Sequence, residues 1–197
     1  MAEVGSKMIL AHIAALKALK GKQVSAGWFE SARYQTASDN GPSVGVAVAR
    51  IARLLNYGGV IDHPGGTKYI TDAAVGGKNA RMLGTRFVHK NFQGESGITS
   101  AHKITIPARP FMQLAWHMFS QQRSTVQKGI AKKLITGEMT PDNALAAIGL
   151  VLEGCIGKAM KNGNWAPNAK STIRAKGFDK PLIDTAHMFQ TVSSKVT

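Results

Sequence analysis

Two proline-pinned stretches constrain this chain more than anything else in it. One is I-P-A-R-P-F-M at residues 106–112, the other K-P-L-I-D-T-A-H-M-F at residues 180–189, and a long helical block lies between them. Pro107 and Pro110 lack a backbone N–H and hold φ near about −65°. Ile106 and Arg109, which precede them, are pushed toward extended backbone. Pro110 suits the first turn of a helix, where its missing donor costs nothing. A strand over 102–106 is therefore expected to hand over abruptly to a helix at Phe111. In the second stretch Pro181 sets an extended entry and Leu182 and Ile183 are buried anchors. Asp184 and Thr185 are cap formers or ladder-edge polar groups. Residues 188–196 alternate in polarity, which predicts a terminal strand.

The remaining elements follow from local signals. Met8, Ile9, Ile13, Leu16 and Leu19 fall at helical spacing over 6–20, and Gly21 is a good stop. Residues 24–29 alternate weakly and read as a first strand. S-D-N-G-P at 38–42 is a loop, Ser43 caps a helix running through Leu55, and 56–59 end it. From 60 to 105 glycines recur, with strand-like pieces at 68–71, 86–89 and 102–106. A connection of this length with little core pattern is usually functional, and it is expected to form a projecting β-hairpin arm able to add to a neighbour. A long helix spans 111–136, with Phe111, Leu114, Ala115, Met118, Ile130 and Leu134 on its apolar side. Gly137 stops it, and T-P-D-N at Thr140 starts the next, which runs to about Lys161. Gly149, Gly154 and Gly157 imply a close approach, to the preceding helix or between subunits. The expected fold is α+β: a small, mostly antiparallel sheet packed by three or four helices with a long β-hairpin arm, in a single domain over 1–197 with 60–105 as the arm.

Charge bounds the partners. Lys and Arg number 25 against 11 Asp and Glu, a net charge of +14. Such a field attracts nucleic acid or an acidic protein surface. The basic clusters at 17–22, 128–133 and 170–180 lack the aromatic interleaving of a single-strand-binding surface. No uninterrupted run of about 18 apolar residues occurs, so no transmembrane helix and no membrane partner are expected. Nor does the N-terminus look like a signal peptide. The single cysteine, Cys155, lies in an apolar helical pattern and reads as a small buried hydrophobe of a protein made in a reducing cytoplasm.

The chemistry-bearing residues do not assemble into a catalytic pattern. The six histidines lack metal-ligand spacing, and no metal or cofactor is expected. His63, in H-P-G-G, reads as a turn-fixing residue, and Gly65 and Gly66 as a tight turn rather than a phosphate cradle. Asp184 with His187 is read as capping, and no G-x-S-x-G elbow is present. An enzyme is not expected. Arg109, rigid between two prolines, is suited to bidentate contacts, either in an ion pair at the base of the arm or across subunits. Trp28, Trp116 and Trp165 are expected in the core.

Together with H-P-G-G-T-K-Y-I at 63–70 and N-W-A-P-N-A-K-S-T-I-R-A-K-G at 164–177, the two opening stretches resemble the tail-completion, or head–tail joining, proteins of tailed bacteriophages. The four motifs stand in the family's order and cover roughly 24–196. Ala186 departs from the pattern, standing where the family usually has glycine. The resemblance implies a structural virion protein made in the host cytoplasm. It would form a homo-oligomeric ring at the neck, hexameric as first expectation and dodecameric as second. Its neighbours would be tail-tube, tail-terminator or head-connector proteins, with possible contact to passing DNA. His63, Tyr69, Arg86, Arg109, Phe111 and Asp184 are the candidate intersubunit contacts. The rival reading is a basic nucleic-acid-binding protein acting in phage DNA packaging.

Overall fold

A computed structural model describes residues 10, 13–34, 45–74, 83–184 and 186–197. The 38–42 loop, the Ser43 cap and Thr185 lie outside the described residues. The order of elements is α1 (residues 13–19), β1 (Val24–Gly27), α2 (Val48–Tyr57), β2 (Gly59–His63), β3 (Lys68–Ala74), β4 (Leu83–Phe87), β5 (Gly97–Ile98), β6 (His102–Ile106), α3 (Phe111–Ile135), α4 (Pro141–Asn162), α5 (Lys170–Lys176), α6 (His187–Gln190) and β7 (Ser193–Val196).

The α+β class is as expected, but the strands are not gathered in one sheet. β1 pairs with β7, β2 with β6, and β3 lies between β4 and β5, all antiparallel. The chain divides into two compact units. The first is Met1–Ala52, Pro110–Asn164 and Thr185–Thr197; the second is Arg53–Arg109 and Trp165–Asp184. Residues 60–105, expected as an arm, thus share a unit with 165–184.

In the first unit α3 packs on α4, and α4 on β1 and β7. The start of α4 is as its sequence dictates: the Thr140 hydroxyl accepts from the Asn143 N–H at 3.3 Å, and Pro141 stands at the first helical position. Phe111 is fully buried, with its ring edge-on to Trp28 at 5.9 Å, and the Trp28 indole N–H donates to the Met188 carbonyl at 2.8 Å. Cys155 is buried as expected, its sulfur accepting from the Gln122 side-chain amide. Trp116, expected in the core, is 59 % exposed on α3. The position lies at the edge of the buried stripe of Phe111, Ala115 and Phe119, its ring centre 5.8 Å from that of Phe119.

Of the three α4 glycines, Gly149 and Gly157 meet strands and the C-terminal turn rather than α3, and Gly154 faces open space. A Cβ at Gly149 would lie 2.8 Å from the Ser194 Cβ, and one at Gly157 would lie 3.0 Å from the Phe189 ring. By length and composition α4 is apolar enough to cross a membrane, with a mean hydropathy of 1.3 over its best window, which counting uninterrupted apolar runs did not reveal. Its packing on α3, β1 and β7 accounts for one side of that apolarity.

The C-terminal segment corrects the expected strand over 188–196. The chain makes a single helical turn, α6, before β7 begins at Ser193. Ala186 opens that turn at φ 62°, in the left-handed region, with no side-chain cap. A Cβ is strained there by about 1–2 kcal/mol, and glycine is not. Ala186→Gly is therefore expected to stabilise the chain by about 1 kcal/mol, read as a higher urea midpoint. A lower midpoint would show that Ala186 does not hold this conformation.

Candidate functional site

Two of the four quoted motifs meet in the second unit at Arg109, and a third is tied to them through Lys176. The chain reaches Arg109 from β6 through Pro107. Gly58, at φ +70°, lets α2 end close against this segment, since a Cβ there would stand 2.7 Å from the Ala108 nitrogen and the Ile106 carbonyl oxygen. The Arg109 backbone N–H donates to the Leu55 carbonyl at 2.9 Å. Only 5 % of Arg109 is exposed. Its Nε–H donates to the Ala166 carbonyl at 3.0 Å. Its Nη2 donates to the Pro167 carbonyl at 3.2 Å and to the Asn168 Oδ1 at 3.3 Å. Asn168 is held in turn: its backbone N–H and its side-chain amide both donate to one oxygen of Asp179, at 3.2 and 3.1 Å. The guanidinium is thus a clamp on the N-W-A-P-N loop, and Asp179 orients the loop from the far side.

Lys176, near the end of α5, ties in the third motif. Its ammonium donates to the carbonyls of Lys180 and Ile183 and stands 4.8 Å from the Phe178 ring centre. Leu182 is buried with φ 63°. Burial lowers the pKa of both cations from their ordinary values. Asp179 opposes the shift at Arg109; at Lys176, Asp184 and Asp179 oppose it and Arg109 adds to it.

The Lys176 shift has a pH signature. Its folded pKa is lowered, so between that value and 10.5 the unfolded chain binds more protons. The burial penalty is present in full at neutral pH and is relieved as pH rises through the folded value. The stability of wild type relative to Lys176→Met is therefore expected to rise from pH 7 toward pH 10 in urea titrations. A relative stability that falls over that range would reverse the assignment.

The H-P-G-G-T loop is a closed turn. His63 Nδ1 accepts from the Gly65 N–H at 3.0 Å, the Gly66 N–H donates to the Thr99 carbonyl at 2.9 Å, and the Thr67 N–H donates to the Thr99 hydroxyl at 3.1 Å. All three amides are used within the chain, so none remains to cradle a phosphate. Gly65, at φ +83°, is indispensable, because a Cβ would lie 2.5 Å from the Thr99 carbonyl oxygen. His63 stacks on His102 across β2–β6 with ring centres 4.9 Å apart. Its Nδ1 is engaged and its Nε2 consequently carries the proton, which leaves no lone pair for a metal. Among the described residues no three His, Cys, Asp or Glu side chains converge on a metal position.

The six candidate contacts therefore have different surroundings. Arg109 makes no direct ion pair among the described residues, and its Nε and Nη2 are engaged by carbonyls and an amide oxygen of its own chain. Phe111 is core. Tyr69 lies over Gly97 on β5, where a Cβ would stand 2.4 Å from its ring. His63 fixes a turn. Arg86 pairs with Ile70 in the β3–β4 register. Asp184 is exposed and caps nothing, since α6 starts at Ala186 without a side-chain cap. Asn168, Lys176 and Asp179 were not anticipated. Their signal lay in the quoted 164–177 stretch and the acid just beyond it, but nothing local pointed either one at Arg109. No family model matches the chain, and neither a curated protein nor a solved structure matches it.

Proposed function

We propose that this chain is a structural component of a tailed-phage particle, forming a closed ring at the head–tail junction that completes the tail and joins it to the head connector. In this reading it is not an enzyme and uses no cofactor. The ring is hexameric if it follows the tail tube and dodecameric if it follows the portal, and its interfaces are heterologous contacts that close. The observation that carries the reading is that three motif stretches are joined in one unit, two by Arg109 and the third through Lys176. Segments that resemble one family in one order, and that are tied together by two neighbouring cations, support a single structural device over scattered chance likenesses. The β2–β6 ribbon supports a contact with an adjacent subunit: two strands alone are marginally stable, and Val60, Ile61 and Ile104 are exposed on it.

Cryo-electron microscopy of the particle neck tests the reading. A ring of this chain between connector and tail tube is expected; neck density with no place for it would overturn the proposal. In the free protein the 60–105 segment should exchange its amide hydrogens faster than α3 and α4, and uniform strong protection would count against its ordering on assembly. The +14 charge supports the rival reading, a nucleic-acid-binding protein acting in packaging. A DNA-binding constant that falls steeply with salt, with no ring in the particle, would favour it.

A further inference from the structure

We propose that the uncovered side of α4 is a docking groove for an acidic segment of another protein, one that carries a hydrophobic anchor residue. α4 is too apolar for the part of it that is packed, since only 39 % of its best apolar window is buried. The excess lies on one face. Leu150, Gly154, Gly157, Lys158 and Lys161 recur at spacings of three and four, which places them in line along the helix. Leu150 is 65 % exposed. Further along α4, from Glu153 to Asn162, a concavity of about 290 Å³ is bounded by the helix on one side and by Phe189 and Val192 on the other. Its floor is open at Gly154, around which no atom lies within 4 Å of a Cβ position, while the Phe189 ring closes over Gly157. The site therefore offers an apolar trough the width of a missing side chain.

Charge selects the occupant. Lys158 and Lys161 border the trough toward the end of α4, Lys161 standing 5.6 Å from the Phe189 ring centre, and Glu153 is its only carboxylate among the described residues. A bound segment would place its hydrophobe over Gly154 beside Leu150 and its carboxylates toward the lysines, away from Glu153. A second copy of this chain is poorly suited to supply it, because no four consecutive residues of its sequence contain two carboxylates. An anionic membrane is a poorer fit, because the apolar surface is recessed beside Phe189 and Val192 rather than presented as a convex helix face.

The test uses the full chain, isotope-labelled for NMR, titrated with an acetylated peptide in which one phenylalanine is flanked by aspartates and glutamates. Shifts confined to α4 from Leu150 onward and to residues 189–192 are expected. The matching Asn/Gln peptide should bind about tenfold more weakly. Gly154→Phe should abolish binding while leaving the fold intact, since the new side chain enters open space and replaces a poor helix former. Lys158→Glu with Lys161→Glu should weaken the acidic peptide. No binding, shifts scattered over other basic surfaces, equal binding of the neutral peptide, or full binding to Gly154→Phe would each overturn the proposal. So would a clear preference for vesicles of phosphatidylcholine and phosphatidylserine over the peptide. The measurement needs no ring and no particle, so its failure would leave the neck reading standing, and loss of the neck reading would leave the groove.

Discussion

Arg109→Ala should destabilise the chain by about 3 kcal/mol in urea titrations. Hydrogen bonds from a charged donor contribute about 1.5–3 kcal/mol, and a buried acceptor left unpaired costs about 1–3 kcal/mol. Here one truncation removes the donors of the half-buried Ala166 carbonyl and of the Pro167 carbonyl, the latter on an exposed residue that water can reach, and releases the Asn168 side chain. Arg109→Lys should recover less than half of the loss, because an ammonium cannot reproduce the fork that engages Nε and Nη2 at once. Asp179 gives a second test, since it hydrogen-bonds Asn168 and its charge also acts on Arg109. In a double-mutant cycle Arg109→Ala and Asp179→Asn should couple by about 1 kcal/mol through the shared loop and the opposite charges. A cost below about 1 kcal/mol for Arg109→Ala, with no coupling, would mean that the guanidinium is not a clamp.

Phe111→Ala should cost about 4 kcal/mol, the range for emptying a fully buried phenylalanine site. The ring is at 0 % exposure, and its edge-on contact with Trp28 is lost with it. Phe111→Leu should cost about 1–2 kcal/mol, since it keeps most of the volume. The Trp28 indole resonance should shift in the alanine variant because Trp28 is also held by the Met188 carbonyl. An alanine variant within about 1 kcal/mol of wild type would place Phe111 on a surface, as an intersubunit contact requires, and not in this core.

What could be read before the structure was known follows the range of the forces involved. Thr140, Pro141 and Pro110 act on their own turn of backbone, so the starts of α3 and α4 were legible to the residue. The β6 bounds at His102–Ile106 and the closed His63 turn were legible for the same reason. Misreadings came where a local pattern had two solutions. Alternation over 188–196 fits a strand, but Ala186 in a left-handed conformation turns the chain into α6 first. The α4 glycines announced a close approach without saying to what: Gly149 meets Ser194 and Val24, Gly157 meets Phe189, and Gly154 meets nothing.

The sequence by itself determined the starts of α3 and α4, the turn chemistry of H-P-G-G, the α+β class and the strongly basic character, because caps, prolines, glycines and charge act locally or sum without regard to fold; the helix expected from Ser43 begins only at Val48, and α5 and α6 were not expected. Only the tertiary structure decided that β1 closes against β7, that the described strands split into three sheets, and that Arg109 clamps the Ala166 and Pro167 carbonyls and the Asn168 side chain rather than reaching a carboxylate. Those outcomes depend on which distant surfaces meet, and a side chain such as arginine is equally suited to a carbonyl, an amide or a carboxylate until packing brings one of them within hydrogen-bonding reach.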